Sequence, residues 1–282
     1  MSEMPKIRPF LLSLPGKLQM VIIVGVTMTL AFMAAIAIRA LFSVNQLVGN
    51  TEPTSAVYGV LGTIYGILLA FVISGIWENY KAIVASVHAE TDALLRLGHI
   101  LGAIPAEQTE GIRSTALAYA QVVIDEWDAL GEVARGEVAP MDLSYEAVMA
   151  LLHAVQLLKP SNDRETVVFE QAIVTVNDLL DARRKRLQSA RGNNAKALWP
   201  LLISGALVLF AFHGLFVAKS AEVWAALLLG LSCVVGLSFA LIFSLDSPFT
   251  GILSAHAGPF RWVIDSWQRG KEDPREGEQV GE

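Results

Sequence analysis

Apolar and polar positions fall into long blocks along this chain. Four runs lack any Asp, Glu, Lys or Arg: Leu18–Ile38, Pro53–Trp77, Ala197–Ala218 and Val223–Leu245. They hold 21, 25, 22 and 23 residues. A hydrocarbon core about 30 Å thick needs about 20 helical residues at roughly 1.5 Å each, so every run is long enough to span it. None shows the period-two alternation of a membrane barrel, and helices are the other way to satisfy a backbone in lipid. The pattern predicts four transmembrane helices. Lys219–Glu222 alone separates the third from the fourth, which makes them a tight antiparallel hairpin. Ala40–Thr54 joins the first two as a loop marked by Asn50, Thr51 and Pro53.

Glu78–Lys196 is a polar insert of 119 residues with helical periodicity throughout. No turn signal separates Trp77 from Ile100, so the second span is expected to continue as one helix. Ile83, Val84, Val87, Leu94, Leu95 and Ile100 then share one face, and Gly102 and Pro105 end it. A second helix is expected over about 106–130, then a loop over Gly131–Asp142, then a third helix to Leu158, stopped by Lys159-Pro160. Asn162 followed by Glu165 reads as a capping box opening a fourth helix to about Ala190. The fold class is an all-α integral membrane protein, with a helical cytoplasmic domain (78–196) inserted between spans two and three. Residues 1–17 are the cytoplasmic N-terminus and 246–282 a C-terminal tail.

Composition agrees with that picture. Apolar residues make up 54% of the 282 and charged ones 17%, below the roughly 25% of soluble domains. The net charge of −6 gives no basic footprint for nucleic acid. The single Cys233 excludes an intrachain disulfide. The first run follows Lys6, Arg8 and Lys17 but is too long for a signal-peptide core, and a second span follows closely. Lys and Arg gather on one side of the spans; Arg39 and Lys219 are the exceptions. Positive charge marks the cytoplasmic side, so both termini and the insert are expected there, in a multi-pass inner-membrane protein. Within the insert, 78–146 carries −8 and 147–196 carries +3. The basic cluster Arg183, Arg184, Lys185 and Arg186 reads as topology signal and lipid-headgroup contact, with a regulatory lipid site as the alternative.

Candidate chemistry is sparse. Gly62, Gly66, Ala70 and Ser74 recur every four residues in the second run, and Ser232, Gly236, Ala240 and Ser244 do so in the fourth. Small residues let helix backbones approach in lipid, within one subunit or between subunits. Among ionisable residues His213 alone lies well inside a span, and it is expected to bond a neighbouring carbonyl rather than relay protons. The missing intramembrane carboxylates disfavour active transport and leave a passive pore. Asp125, Asp128 and Glu132, with Glu126 alongside, read as a solvated acidic face before a metal site. His88-Ala89-Glu90 echoes a deaminase motif but lacks its cysteine pair, and His88 with Asp92 makes one local pair at most. No enzyme motif, cofactor or metal set emerges.

Three short segments carry a resemblance. Leu69-Ala70-Phe71 leads to Trp77-Glu78-Asn79-Tyr80; Glu126-Trp127 ends the second insert helix; and Leu245-Asp246-Ser247-Pro248-Phe249-Thr250-Gly251 follows the fourth span. From about Leu18 to Trp267 the chain resembles the bestrophin-like domain family of prokaryotic-type membrane proteins, distantly similar to bestrophin channels. The resemblance implies a homo-oligomer, a pentamer around one axial pore for inorganic ions. It places Thr63, Ile67 and Phe71 at the constriction, with Ala70 where glycine is usual. Two departures stand out: Gly251-Ile252-Leu253-Ser254-Ala255-His256 holds no carboxylate where the family has an acidic run, which argues against calcium gating there, and Thr63 makes the neck more polar. The alternative is a non-conducting scaffold or sensor whose helical cytoplasmic domain binds a protein partner or anionic lipid.

Overall fold

A computed structural model of the chain describes residues 7–12, 14–42, 47–48, 50–135, 143–190, 197–218, 220–247 and 256–269. Its regular elements are helices: α1 (Ile7–Leu12), α2 (Gly16–Leu41), α3 (Thr51–Leu101), α4 (Ala106–Arg135), α5 (Leu143–Gln156), α6 (Asp163–Ala190), α7 (Trp199–Gly214), α8 (Ala221–Leu245) and α9 (Gly258–Arg269). No strand occurs among the described residues. The chain divides into two compact units. One comprises Met1–Tyr80 with Gly192–Ser254, the other Lys81–Arg191 with Ala255–Glu282.

α3 is 51 residues long and unbroken from Thr51 to Leu101. Pro53 sits in its first turn, where its missing N–H costs nothing. At the other end the Gly102 amide folds back to the His99 carbonyl at 3.2 Å, and Pro105 precedes the next helix.

In the first unit α2 packs against both α7 and α8. Ala31 and Ala35 of α2 are fully buried among Leu202, Leu209, Phe210, Leu228 and Ile242. Small residues make this possible. A Cβ on Gly214 would lie 2.2 Å from the Ala35 carbonyl oxygen, and one on Gly236 would lie 3.0 Å from the Val24 Cα. Ser232, Gly236, Ala240 and Ser244, the small-residue face of the fourth run, are all buried here. Tyr65 of α3 lies over Gly205, where a Cβ would meet its ring at 2.8 Å, and donates to the Leu202 carbonyl at 2.9 Å.

The third run departs from expectation. Its helix, α7, has 16 residues and so rises about 24 Å at roughly 1.5 Å per residue, short of a 30 Å core. At its C-terminal end Gly214 abuts the Ala35 backbone, and the next two amides tighten into a turn, Leu215 to the Phe212 carbonyl and Phe216 to that of His213. Among the described residues three helices are long and apolar enough to cross a bilayer: Gly16–Arg39, Thr51–Leu101 and Ala221–Leu245.

In the second unit residues 81–101 of α3 join α4, α5, α6 and α9. Leu94, Tyr119, Val123, Val148, Leu151, Val155, Val176 and Phe260 are each at most 1% exposed. α4 continues to Arg135, five residues into the expected loop; 136–142 lie outside the described residues. α6 opens on the expected cap: the Glu165 amide donates to Asn162 Oδ1 at 2.9 Å, while the Glu165 carboxylate accepts from the Ser161 amide at 2.7 Å. The expected tail holds α9, whose Phe260, Val263 and Trp267 are buried against the rest of the unit. Trp267 lies so close that a Cβ on Gly98 would meet its ring at 2.9 Å.

Two glycines should therefore respond oppositely to the same change. Gly214→Ala is expected to lower the melting temperature in detergent by several degrees, the cost of overpacking being about 1–3 kcal/mol. Gly62→Ala, whose Cβ would meet nothing within 4 Å among the described residues of its own subunit, should leave it unchanged or raise it in the dissociated monomer. Thermal unfolding of the two variants followed by tryptophan fluorescence is the measurement.

Candidate functional site

α3 buries one stripe of the first unit and leaves another bare. Tyr65, Leu69, Val72 and Ile76, spaced four, three and four apart, are at most 8% exposed. That spacing keeps one face inward on a helix. On other faces Val60, Ile64, Ile67 and Phe71 are 59%, 60%, 53% and 74% exposed. Thr63 is exposed beside them. Its hydroxyl donates to the Gly59 carbonyl at 2.8 Å, so its own hydrogen is spent on the helix and the polarity expected of it is reduced.

Gly66, Ala70 and Ser74 are exposed and Gly62 half-buried. No atom of another residue would touch a Cβ at Gly59, Gly62, Gly66 or Gly75 within 4 Å. Among the described residues the small-residue face of α3 thus has no helix against it, in contrast to that of α8. Further on, the Trp77 and Tyr80 rings lie 5.7 Å apart, and Trp77 and Glu78 are exposed. Asp246 caps α8, its amide bonded to the Ile242 carbonyl. Pro248, Phe249 and Gly251 lie outside the described residues.

His213, 3% exposed, has the carbonyl neighbour expected of it. Its Nε2 is 3.2 Å from the Trp224 carbonyl oxygen, and its Nδ1 is 3.2 Å from the Tyr58 hydroxyl.

The second unit holds a buried charge network that the sequence pattern did not announce. Arg186 is fully buried; its Nε donates to Glu90 Oε2 at 2.8 Å and its Nη2 to Glu90 Oε1 at 3.2 Å. Nη1 and Nη2 both donate to Glu126 Oε2 at 3.2 Å. The Tyr119 hydroxyl donates to Glu90 Oε1, and Ser144 Oγ donates to Glu126 Oε2 at 2.9 Å while accepting from Arg183 Nε at 2.9 Å. Arg186 also lies 5.7 Å over the Trp127 ring, which packs on Phe260. Four helices meet through these side chains. Two guanidinium groups face two carboxylates, which balances the formal charge. Glu126 Oε1 is the buried side-chain oxygen left without a hydrogen-bond partner among the described residues.

The network corrects two expectations. The basic cluster is not one headgroup-facing patch: Arg183 and Arg186, three apart, point inward, while Arg184 and Lys185 stay exposed. Glu126 belongs to the core and not to the acidic face beside Asp125, which accepts from Gln121 at 2.9 Å. No group of His, Cys, Asp and Glu among the described residues could hold a metal. Spacing alone could have flagged Arg186, because it continues the Ala172, Val176, Leu179 and Ala182–Arg183 stripe.

Burial shapes the titration of the network. Desolvation, and then Glu90, push the Tyr119 hydroxyl well above its ordinary range. Burial opposes the charge on Arg186, but Glu90, Tyr119 and Glu126 outweigh it and hold the guanidinium more firmly protonated than usual. Burial lowers Arg183.

Comparison with known proteins gives one consistent answer. The sequence model of a family described as Bestrophin-like domain matches residues 19–260. Among curated proteins none matches. Two crystal structures of variants of a bacterial bestrophin homologue from Klebsiella pneumoniae share the fold, at 14% identity each. One covers 90% of this chain and 98% of its own with a TM-score of 0.59, the other 90% and 97% with 0.64. A structure described as a membrane protein does so at 15% identity, 90% and 98% coverage and a TM-score of 0.59.

Removing Arg186 should be far costlier than removing its exposed neighbour. Arg186→Met leaves two buried carboxylates facing no guanidinium but Arg183, a loss of about 3–5 kcal/mol, whereas Arg184→Met should cost under about 1 kcal/mol. Denaturant unfolding with Trp127 fluorescence reads both. Alkali supplies a second check. Because the folded-state pKa of Tyr119 is raised, its contribution is present below its ordinary value of 10.0 and is lost as the pH rises beyond it. Tyr119→Phe should flatten that alkaline decline.

Proposed function

Because the chain belongs to the bestrophin-like domain family, we propose that it is an oligomeric membrane protein that forms a passive ion pore lined by α3. The observation that carries this reading is the bare face of α3, opposite a face packed into its own subunit. In the proposed assembly α2, α3, α7 and α8 all cross the bilayer, α7 with its flanking residues 197–198 and 215–218. Both termini and residues 78–196 are cytoplasmic. Copies of the chain surround one axis, five by likeness to bestrophins. Thr63, Ile67 and Phe71 narrow the pore, with Gly62, Gly66, Ala70 and Ser74 beside them allowing neighbouring copies of α3 to come close. An apolar ring of Ile67 and Phe71 resists wetting, so it passes ions only when widened. No side chain is assigned to chemical turnover.

Purified protein in planar bilayers should conduct, and Phe71→Ala should raise the current or remove its gating, by about tenfold at a single constriction. Silent bilayers from both proteins, with intact oligomers, would overturn the pore. Subunit counting by native mass is the companion measurement, and a monomer would remove the axis.

One observation favours the scaffold reading. Tyr145 and Met149 of α5, Leu157 in the turn after it, and Val167 and Val174 of α6 are exposed by 37–63%. A scaffold would use them to hold a partner. Met149→Glu would then abolish capture of that partner and leave any current unchanged.

A further inference from the structure

Arg39 stands at the end of the α2 candidate span, Gly16–Arg39. It is held rather than mobile. Its Nη1 donates to the Phe216 carbonyl at 2.9 Å, and its Cζ lies 5.4 Å over the Trp224 ring. Trp224 is itself fixed, its indole N–H donating to the His213 carbonyl at 3.2 Å and its ring meeting Phe32 edge-on at 6.3 Å. Phe216 is stacked on His213 at 6.0 Å and packed on Tyr58 at 5.1 Å. The guanidinium is therefore held between Trp224 of α8 and the Phe216 carbonyl in the turn between α7 and α8.

An arginine offers five N–H donors and does not lose its charge in proteins. Here the Phe216 carbonyl is the one acceptor it meets among the described residues, and none of the ion pairs formed among them includes Arg39. The carbonyl, the indole face and the negative end of α2 supply partial charges, which ease the cation without neutralising it. Among the described residues, this half-buried guanidinium at the rim of an apolar bundle thus keeps donors that no acceptor meets and a charge that no carboxylate pairs. Its planar fork matches two oxygens of one phosphate, and neighbouring tryptophan and tyrosine rings are typical of the headgroup level.

We propose that Arg39 is the anchor of an oxyanion site that takes a phosphate group, with Trp224 and Phe216 fixing the guanidinium for two-oxygen contact. The phosphate comes from a phospholipid headgroup or from free phosphate in solution. The site needs only that α2 crosses the bilayer, so it stands apart from the pore reading and from the Arg184–Lys185 surface.

Full-length protein in detergent, analysed by native mass spectrometry while phosphatidylglycerol, phosphatidylcholine or inorganic phosphate is titrated in, tests the site. One phosphate-bearing ligand per subunit is expected to bind the natural protein. Its affinity should fall at least tenfold in Arg39→Gln and severalfold in Arg39→Lys, which keeps the charge but not the fork. Arg184→Gln should leave it unchanged. Retention of lipid that inorganic phosphate does not displace assigns the site to headgroups; binding of inorganic phosphate itself assigns it to the free anion. Both outcomes support the proposal. Unchanged affinity for all three ligands in Arg39→Lys and Arg39→Gln overturns it. Should Arg39→Gln fail to fold, equal affinity in the lysine variant and the natural protein overturns it alone.

Discussion

One helix, α3, has to serve two separate cores with a single apolar stripe. In the first unit that stripe is Tyr65, Leu69, Val72 and Ile76; in the second it is Ile83, Val87, Glu90, Leu94, Leu97 and Leu101. Steps of three and four hold throughout, so the inward face is set by sequence spacing. A break anywhere would misplace one core relative to the helix that supplies it. No glycine or proline pair interrupts the run between Trp77 and Leu97, and the helix has no reason to stop.

Glu90 is the polar exception on that stripe, and its neighbours explain how it is tolerated. An isolated buried carboxylate is costly, and the Arg186 guanidinium supplies the charge that compensates Glu90 within the second core. The pair gives little net stability, since apolar side chains of similar volume often do as well or better. What it does give is uniqueness. A leucine at position 90 would accept many neighbours, whereas this carboxylate requires Tyr119 from α4 and Arg186 from α6. The same guanidinium then requires Glu126, and Glu126 requires Ser144. Each helix of the network is thereby tied to one register.

Helix positions were the most legible feature, because hydropathy and periodicity act locally. The first, second and fourth apolar runs, the long continuation past Trp77 and the cap at Asn162–Glu165 follow from neighbours a few residues apart. What was not legible depends on distant partners. Arg183–Arg186 reads as four equivalent surface cations until Glu90 and Glu126, 96 and 60 residues from Arg186, turn two of them inward. α7 reads as a full span, yet the regular helix stops at Gly214, where the chain lies against the Ala35 backbone of α2 and turns. α9 went unread because Phe260, Val263 and Trp267 form only two turns of pattern within a polar stretch. The bare face of α3 was half visible: its small residues stood out, but only packing tells which of two such stripes is used within the chain.

That contrast bears on assembly more than the exposed apolar side chains do. In lipid an exposed Ile67 or Phe71 costs nothing, so exposure by itself argues for no partner. Glycine is different. Each one in a helix interior costs about 1 kcal/mol relative to alanine in water and leaves the backbone uncovered by a side chain. On α7 and α8, Gly205, Gly214 and Gly236 admit a ring or a backbone at 2.2–3.0 Å from where a Cβ would stand, while Gly230 of α8 meets nothing within 4 Å among the described residues. On α3, Gly59, Gly62, Gly66 and Gly75 admit nothing from the described residues of their own chain. Four such glycines in one helix leave a stretch of backbone without a covering side chain. They become useful when the surface they leave open lies against another backbone, and that is the physical reason to read this face as one made for neighbouring copies of α3.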